Sequence, residues 1–388
     1  MNILYHHRTQ GRGAEGVHIA FIVKGLCDLG HHVTVVSPTG EDPEETAGGS
    51  VFDPPKGIKA AFFRFISRHT PQLVFELCEI AYNFTAGLRL NSVLRKTNID
   101  FIYERNAFFL WAGARAARKY DIPFVVEVNE IAGHKRVRGQ VLVKLAARIE
   151  RYVFQQADAI VVVSPFLKRE IKARGIDGDK IYVVPNAADP GLFNPNLKNV
   201  HLKAQYYIEE ETVVVGFIGW FVDWHKIEGL IEAFSRVCKG KNARLMIIGD
   251  GDLKDHYAET AEKFGVSDQL IMPGAIPYED VPEYISIMDI CVIPASNQYR
   301  SPIKLFEYMV MEKPVLAPRL EPIEEVAEHM THAYLFESDD VDSLTEGLRV
   351  LSEHALLRYT MGQKARMLIL ERHTWQKNAR RVIDAVGL

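Results

Sequence analysis

Short runs rich in valine and isoleucine return throughout the chain, and most are separated by stretches long enough for a helix. The first half carries "NILYHH" from 2, "HHVTVVS" from 31, "DFIYE" from 100, "PFVVEVN" from 123, "AIVVVS" from 159 and "IYVVPN" from 181. The second half repeats the plan with "VVVGFIG" from 213, "ARLMIIGDG" from 243, "QLIMPG" from 269, "ICVIPA" from 290, "KPVLAP" from 313 and "HAYLFE" from 332. Near-continuous apolarity, rather than strict alternation, is the mark of parallel strands covered on both faces. The pattern therefore predicts an α/β protein made of two doubly wound, Rossmann-like sheets.

At 388 residues the chain suits two domains better than one core. The stretch "NAADPGLFNPNLKNVHLKAQ", dense in Asn, Pro and Asp, is the best linker candidate. It divides an N-terminal domain, 1–190, from a C-terminal domain, 191–370. A last helical segment, 371–388, either packs on the second domain or crosses back to the first. Ligands of open parallel sheets bind beyond the carboxyl ends of the strands, so two such domains are expected to face each other across a cleft.

Composition narrows the function. Apolar residues make up 47% and charged residues 25%, with no apolar run long enough to span a bilayer. "MNILYHHRTQ" turns polar too soon for a secretion signal, so a cytoplasmic protein is expected, with peripheral contact at the inner face of a membrane as an option. Cys27, Cys78, Cys238 and Cys291 are widely spaced and read as reduced thiols rather than a zinc site. Residues 1–190 hold 25 Lys/Arg against 20 Asp/Glu, far short of a nucleic-acid-binding composition.

Three stretches carry chemistry. "RTQGRGAEGVHIAF" sets Gly11, Gly13 and Gly16 between a strand and a helix, where backbone amides can meet an anion or glycine can simply permit a tight turn. "FIGWFVDWHKIEGLIEAF" turns from strand to helix through Gly219, Trp220, Trp224, His225 and Lys226. "RSPIKLFEYMVMEKPVLAP" predicts a helix with Ser301 as N-cap and Pro302 in its first turn. On it Glu307 falls beside the apolar stripe of Ile303, Phe306 and Val310, either as a surface partner of Lys304 or as a ligand group.

From residue 159 onward these motifs, with "VVVSPFLKREI", "IYVVPNAADPGLFNP", "LMIIGDGDLKD" and "LIMPGAIPYEDVPEYISIMDICVIPA", resemble in order the retaining family 4 glycosyltransferases of GT-B fold. The resemblance implies that Glu307, matching the second glutamate of an E-x7-E motif, accepts hydrogen bonds from the ribose of a nucleoside-diphosphate sugar. It implies that Ser301, Pro302, Ile303 and Lys304 bring a helix start and an ammonium to the diphosphate, with Gly219 beside them. Gly274, Ala275 and Ile276 match the loop that receives the base. The chain also departs from the pattern. Tyr299 replaces the first glutamate, Trp220 replaces an arginine, and either His225 or Lys226 stands for the family's lysine. Asn129 occupies a place often held by histidine, with Arg105 as an extra cation near the same strand ends and Gly13 and Gly16 in the first-domain loop.

The implied activity is retaining transfer of a sugar to a hydroxyl acceptor, small or lipid-linked, by a front-face route in which the departing phosphate takes the proton. Cofactor and metal are not expected, because protein cations serve the diphosphate. Lys59, Phe62, Phe63, Arg64, Phe65 and Arg68, and then Lys135, Arg136 and Arg138, read as basic segments for an acceptor or an anionic lipid surface. Two other readings are a nucleotide-sugar epimerase, which would need no acceptor, and a non-catalytic nucleotide-sugar-binding protein. The base, the donor sugar, the acceptor and the oligomeric state are not written in the sequence.

Overall fold

The computed structural model describes residues 1–9, 13–38, 71–134, 140–197 and 199–387. The chain divides into two compact units. The first takes the described residues up to Val184 together with those from Gln376 onward, and the second takes Pro185–Trp375.

Each of the twelve apolar runs forms a strand. The first unit holds β1 (Asn2–His6), β2 (His32–Val36), β3 (Phe101–Arg105), β4 (Phe124–Val128), β5 (Ala159–Val162) and β6 (Ile181–Val183). They lie in the order β2-β1-β3-β4-β5-β6, and every pairing is parallel. The second unit holds β7 (Val213–Ile218), β8 (Ala243–Ile248), β9 (Leu270–Gly274), β10 (Ile290–Val292), β11 (Val315–Pro318) and β12 (Tyr334–Phe336). Their order is β12-β11-β10-β7-β8-β9, again all parallel. Strand order reverses at β1/β3 in one unit and at β7/β10 in the other, and at such a point adjacent loops part and leave room for a ligand. The chemistry-bearing loops should therefore follow β1 and β3, and β7 and β10.

The core of the second unit joins β7, β8, β10 and β11 to the helices Ile227–Cys238 and Val341–Glu353 through Phe217, Phe234, Leu245, Leu316 and Leu348, all fully buried. The stretch expected as a linker is part of this unit. Phe193 is fully buried and packs edge-on against Tyr278, ring centroids 5.8 Å apart. Up to residue 197 the stretch runs as turns and loop, as its Asn and Pro favour, and apolar burial of this one large side chain, worth roughly 1.5–3 kcal/mol, fixes it to the unit. No helix among the described residues is long and apolar enough to cross a membrane.

The helix Ile303–Val310 is held from behind by Ala355–Arg372. The approach is so close that a Cβ on Gly362 would lie 1.9 Å from the carbonyl oxygen of Glu312. Backbone cannot retreat as a side-chain tip can, so Gly362→Ala should lower stability by roughly 1–3 kcal/mol. A thermal melt of the purified variant measures this, and an unchanged midpoint contradicts the packing.

Candidate active site in the second unit

The loops after β7 and β10 gather most of the residues singled out in the sequence. Lys304 Nζ is buried, has no hydrogen-bond partner among the described residues, and stands 4.3 Å from the centroid of the Phe217 ring. Gly219 makes room for it, since a Cβ there would lie 2.6 Å from that nitrogen. Burial drives the Lys304 pKa down to about 7, with Glu307 opposing the shift. An ammonium gives up most of its hydration here and receives no oxygen in exchange.

Glu307 is 7% exposed. Its Oε1 accepts a hydrogen bond of 2.6 Å from the hydroxyl of Tyr278. Burial raises its pKa to about 7, against the pull of Tyr278 and Lys304. The carboxylate is thus anchored by a tyrosine distant in sequence, and its other oxygen is not used by that bond.

The helix start differs from expectation by one residue. Ile303 is the first helical residue and Pro302 the N-cap, with no side-chain cap. Ser301 is used elsewhere: its Oγ accepts from the Asn186 amide at 3.0 Å, and its carbonyl accepts from Asn186 Nδ2 at 2.5 Å. A hydroxyl engaged with Asn186 leaves the first turn of the helix for an external acceptor.

The two candidate cations after β7 separate. Lys226, with φ 47°, caps the helix Ile227–Cys238 and pairs at the surface with Asp339. His225 turns inward, its ring 5.3 Å from that of Phe217. Burial, then the Lys304 and Arg300 charges, push its pKa down to about 2, although a hydrogen bond to the Ala295 backbone opposes this. His225 is therefore a neutral imidazole, which corrects its expected role as a cation. Arg300, which sequence reasoning missed, is a further cation in this region: its guanidinium lies 5.7 Å from the ring centroids of both Trp224 and Tyr299. A cation one residue from the altered motif position was the available signal. Trp220 is 44% exposed, Tyr299 is buried, and Ile276 is buried beside the half-exposed Gly274, whose carbonyl accepts from the Gly249 amide at 3.0 Å.

In the first unit Arg105 and Asn129 belong to a network of polar side chains around Glu127. Arg105 is buried in an ion pair with Glu127, so it is not the free cation expected for the diphosphate. Glu127 also accepts from Tyr103 Oη at 2.8 Å and Asn129 Nδ2 at 2.6 Å, and His18 Nε2 lies 2.9 Å from it. Burial alone would raise the Glu127 pKa, but His18 and Arg105 outweigh it and hold the carboxyl below its usual range. Gly13 opens the helix Gly13–Asp28 and Gly16 lies one turn inside it. Gly11, the segment with Lys59, Phe62, Phe63, Arg64, Phe65 and Arg68, and the cluster Lys135, Arg136 and Arg138 lie outside the described residues.

Glycosyltransferase Family 4 matches residues 15–192, and Glycosyl transferases group 1 matches residues 201–386. An uncharacterized glycosyltransferase of Methanocaldococcus jannaschii is 24% identical over 382 residues, covering 96% of this chain and 93% of its own. A glycosyltransferase from Rickettsia africae superimposes with a TM-score of 0.74 at 16% identity, covering 100% of this chain and 97% of its own. HepE of Anabaena, solved with UDP and glucose, does so with a TM-score of 0.73 at 17% identity, covering 100% and 99%. The chain belongs to the group 1 glycosyltransferases of GT-B fold.

A buried cation lacking an oxygen should cost stability when no ligand is bound. For a lysine whose folded pKa lies below its unfolded value near 10.4, that cost is full below about pH 7 and fades as pH rises toward the unfolded value. Lys304→Met should therefore stabilise the ligand-free protein by about 1–4 kcal/mol at neutral pH, and by less at pH 10. Denaturant titration at the two pH values checks both size and sign.

Proposed function

We propose that the second unit binds a nucleoside-diphosphate sugar and that the enzyme transfers the sugar to a hydroxyl acceptor with retention of anomeric configuration. The observation that carries this reading is the buried, unpartnered Lys304 ammonium beside an uncapped helix start. An anion with several oxygens satisfies both at once, and a diphosphate has the right charge and reach. Glu307, anchored by Tyr278, accepts the ribose hydroxyls. The Gly274–Ile276 loop receives the base, and Gly219 leaves space for the ammonium. UDP, held by HepE of Anabaena, is the first donor nucleotide to test.

The diphosphate is served by Lys304 and Arg300 from one loop-helix segment. His225 contributes as a neutral hydrogen-bonding group, and Tyr299 lines the donor pocket in place of an acid. Charge developing on the departing diphosphate is stabilised by these groups without a reorganising solvent shell, which is what a front-face displacement requires. The phosphate oxygen takes the acceptor's proton as the new glycosidic bond forms. In this reading the protein's own cations do the work of a metal, so turnover persists in EDTA.

Isothermal titration separates the roles. Arg300→Gln should weaken UDP about tenfold to a hundredfold while leaving uridine unchanged, because only the phosphates meet the guanidinium. Glu307→Ala should weaken both ligands by a similar factor. Equal loss for UDP and uridine in Arg300→Gln rejects its assignment. Retention is tested by NMR of the product anomer after incubation with sugar nucleotides and candidate acceptors, and an inverted product rejects it. Consumption of donor in the absence of any acceptor, with an isomerised sugar as product, would point to epimerisation instead.

A further inference from the structure

The helices Gln72–Leu94, Ala112–Tyr120 and Val143–Gln156 pack side by side on the first unit. On the longest of them Leu73, Leu77, Phe84 and Leu88 recur at helical spacing and are exposed, Phe84 at 76% and Leu88 at 74%. The opposite side of that helix is the buried one, through Asn83, Ala86, Leu90 and Leu94. Leu145 on the third helix is exposed as well.

Charge on this face is predominantly positive. Every exposed charged side chain on the three helices is Lys or Arg, as are Arg95 and Lys96 just after the first, while Asp121 and Asp158 are exposed just beyond the ends of the second and third. The acids of the same helices are drawn inward. Glu76 accepts from the Val141 and Leu142 amides at 2.7 Å each, Glu79 pairs with Arg8, and Glu150 accepts from the Ala132 amide at 2.9 Å. At the end of the apolar stripe Leu88, Asn91, Ser92, Arg95, Lys96 and Lys119 line a depression of about 460 Å³. Lys119 is steadied there by a 2.7 Å hydrogen bond to Asn91 Oδ1.

An apolar stripe bordered by cations, without exposed acid among the described residues of these helices, complements a surface that is anionic outside and apolar just beneath. That is the profile of a bilayer containing anionic phospholipid, where each cation near the surface and each buried apolar group add to binding. We propose that this three-helix face docks on such a bilayer, with Phe84 and Leu88 at the acyl boundary and a lipid phosphate in the depression at Arg95, Lys96 and Lys119. It places the first unit at the membrane through residues other than the basic segments singled out in the sequence.

Flotation with vesicles of phosphatidylcholine alone, or with about one third phosphatidylglycerol, tests the surface directly. The 388-residue chain should float with the anionic vesicles at low salt, not with neutral ones, and lose this in high salt. Phe84→Ser/Leu88→Ser and Arg95→Glu/Lys96→Glu should each reduce partition about tenfold or more, with unchanged melting temperature, since all four side chains are exposed. The proposal is overturned if wild type ignores anionic vesicles, floats equally with neutral ones, or is matched by both variants. It is also overturned if wild type is a dimer that Phe84→Ser/Leu88→Ser converts to a monomer without any vesicle binding, because the face would then join two copies. The assay reads binding and not turnover, so its failure leaves the sugar-transfer reading untouched.

Discussion

The ammonium of Lys304 sets the terms for the second unit. It is buried against the face of Phe217, and no oxygen receives it. A helix start adds partial positive charge of the same sign nearby, and Arg300 adds a full one. These charges share a sign, and burial first, then the Lys304 and Arg300 charges, holds the imidazole of His225 well below its usual pKa. A buried positive charge without an oxygen partner among the described residues is costly in the ligand-free protein. Gly219 and Tyr278 shape the same region: one withholds a side chain, and the other fixes the Glu307 carboxylate.

The first unit treats its buried charges in the opposite way. Glu127 collects Arg105, Tyr103, Asn129 and His18, and Glu104 accepts from the Gly113 amide at 3.0 Å and lies 2.5 Å from His6 Nδ1. Saturated networks of this kind hold strand ends in fixed positions, because breaking one member leaves the others unpaired in a low dielectric. The contrast shows in the two carboxylates: that of Glu127 is kept ionised by its neighbours, whereas that of Glu307 is pushed toward protonation by burial.

Much of this was legible in the sequence, for physical reasons that also mark the limit. The twelve strands could be read because sheets covered on both faces require unbroken apolar runs. Glu307, Lys304 and Gly219 stood out because a charge on an apolar helix face and a glycine after a strand are costly unless they serve something. Which side chains meet across loops was not legible. Tyr278 reaches Glu307 from another loop, Asn186 takes the Ser301 hydroxyl that would otherwise cap a helix, and Arg105 finds Glu127 on the neighbouring strand. Periodicity assigns a residue to a face, but the partner it finds there depends on rotamers and loop paths that no local spacing encodes.

The Asn186–Ser301 clasp has a mechanical side. Asn186 follows the division at Val184/Pro185 almost at once, and Ser301 adjoins the arginine that faces Trp224. The first residues of the second unit are thereby stitched to the guanidinium's own loop by two short links. The position of that loop is tied to the first residues of its own unit by side-chain and backbone bonds that bypass the sheet.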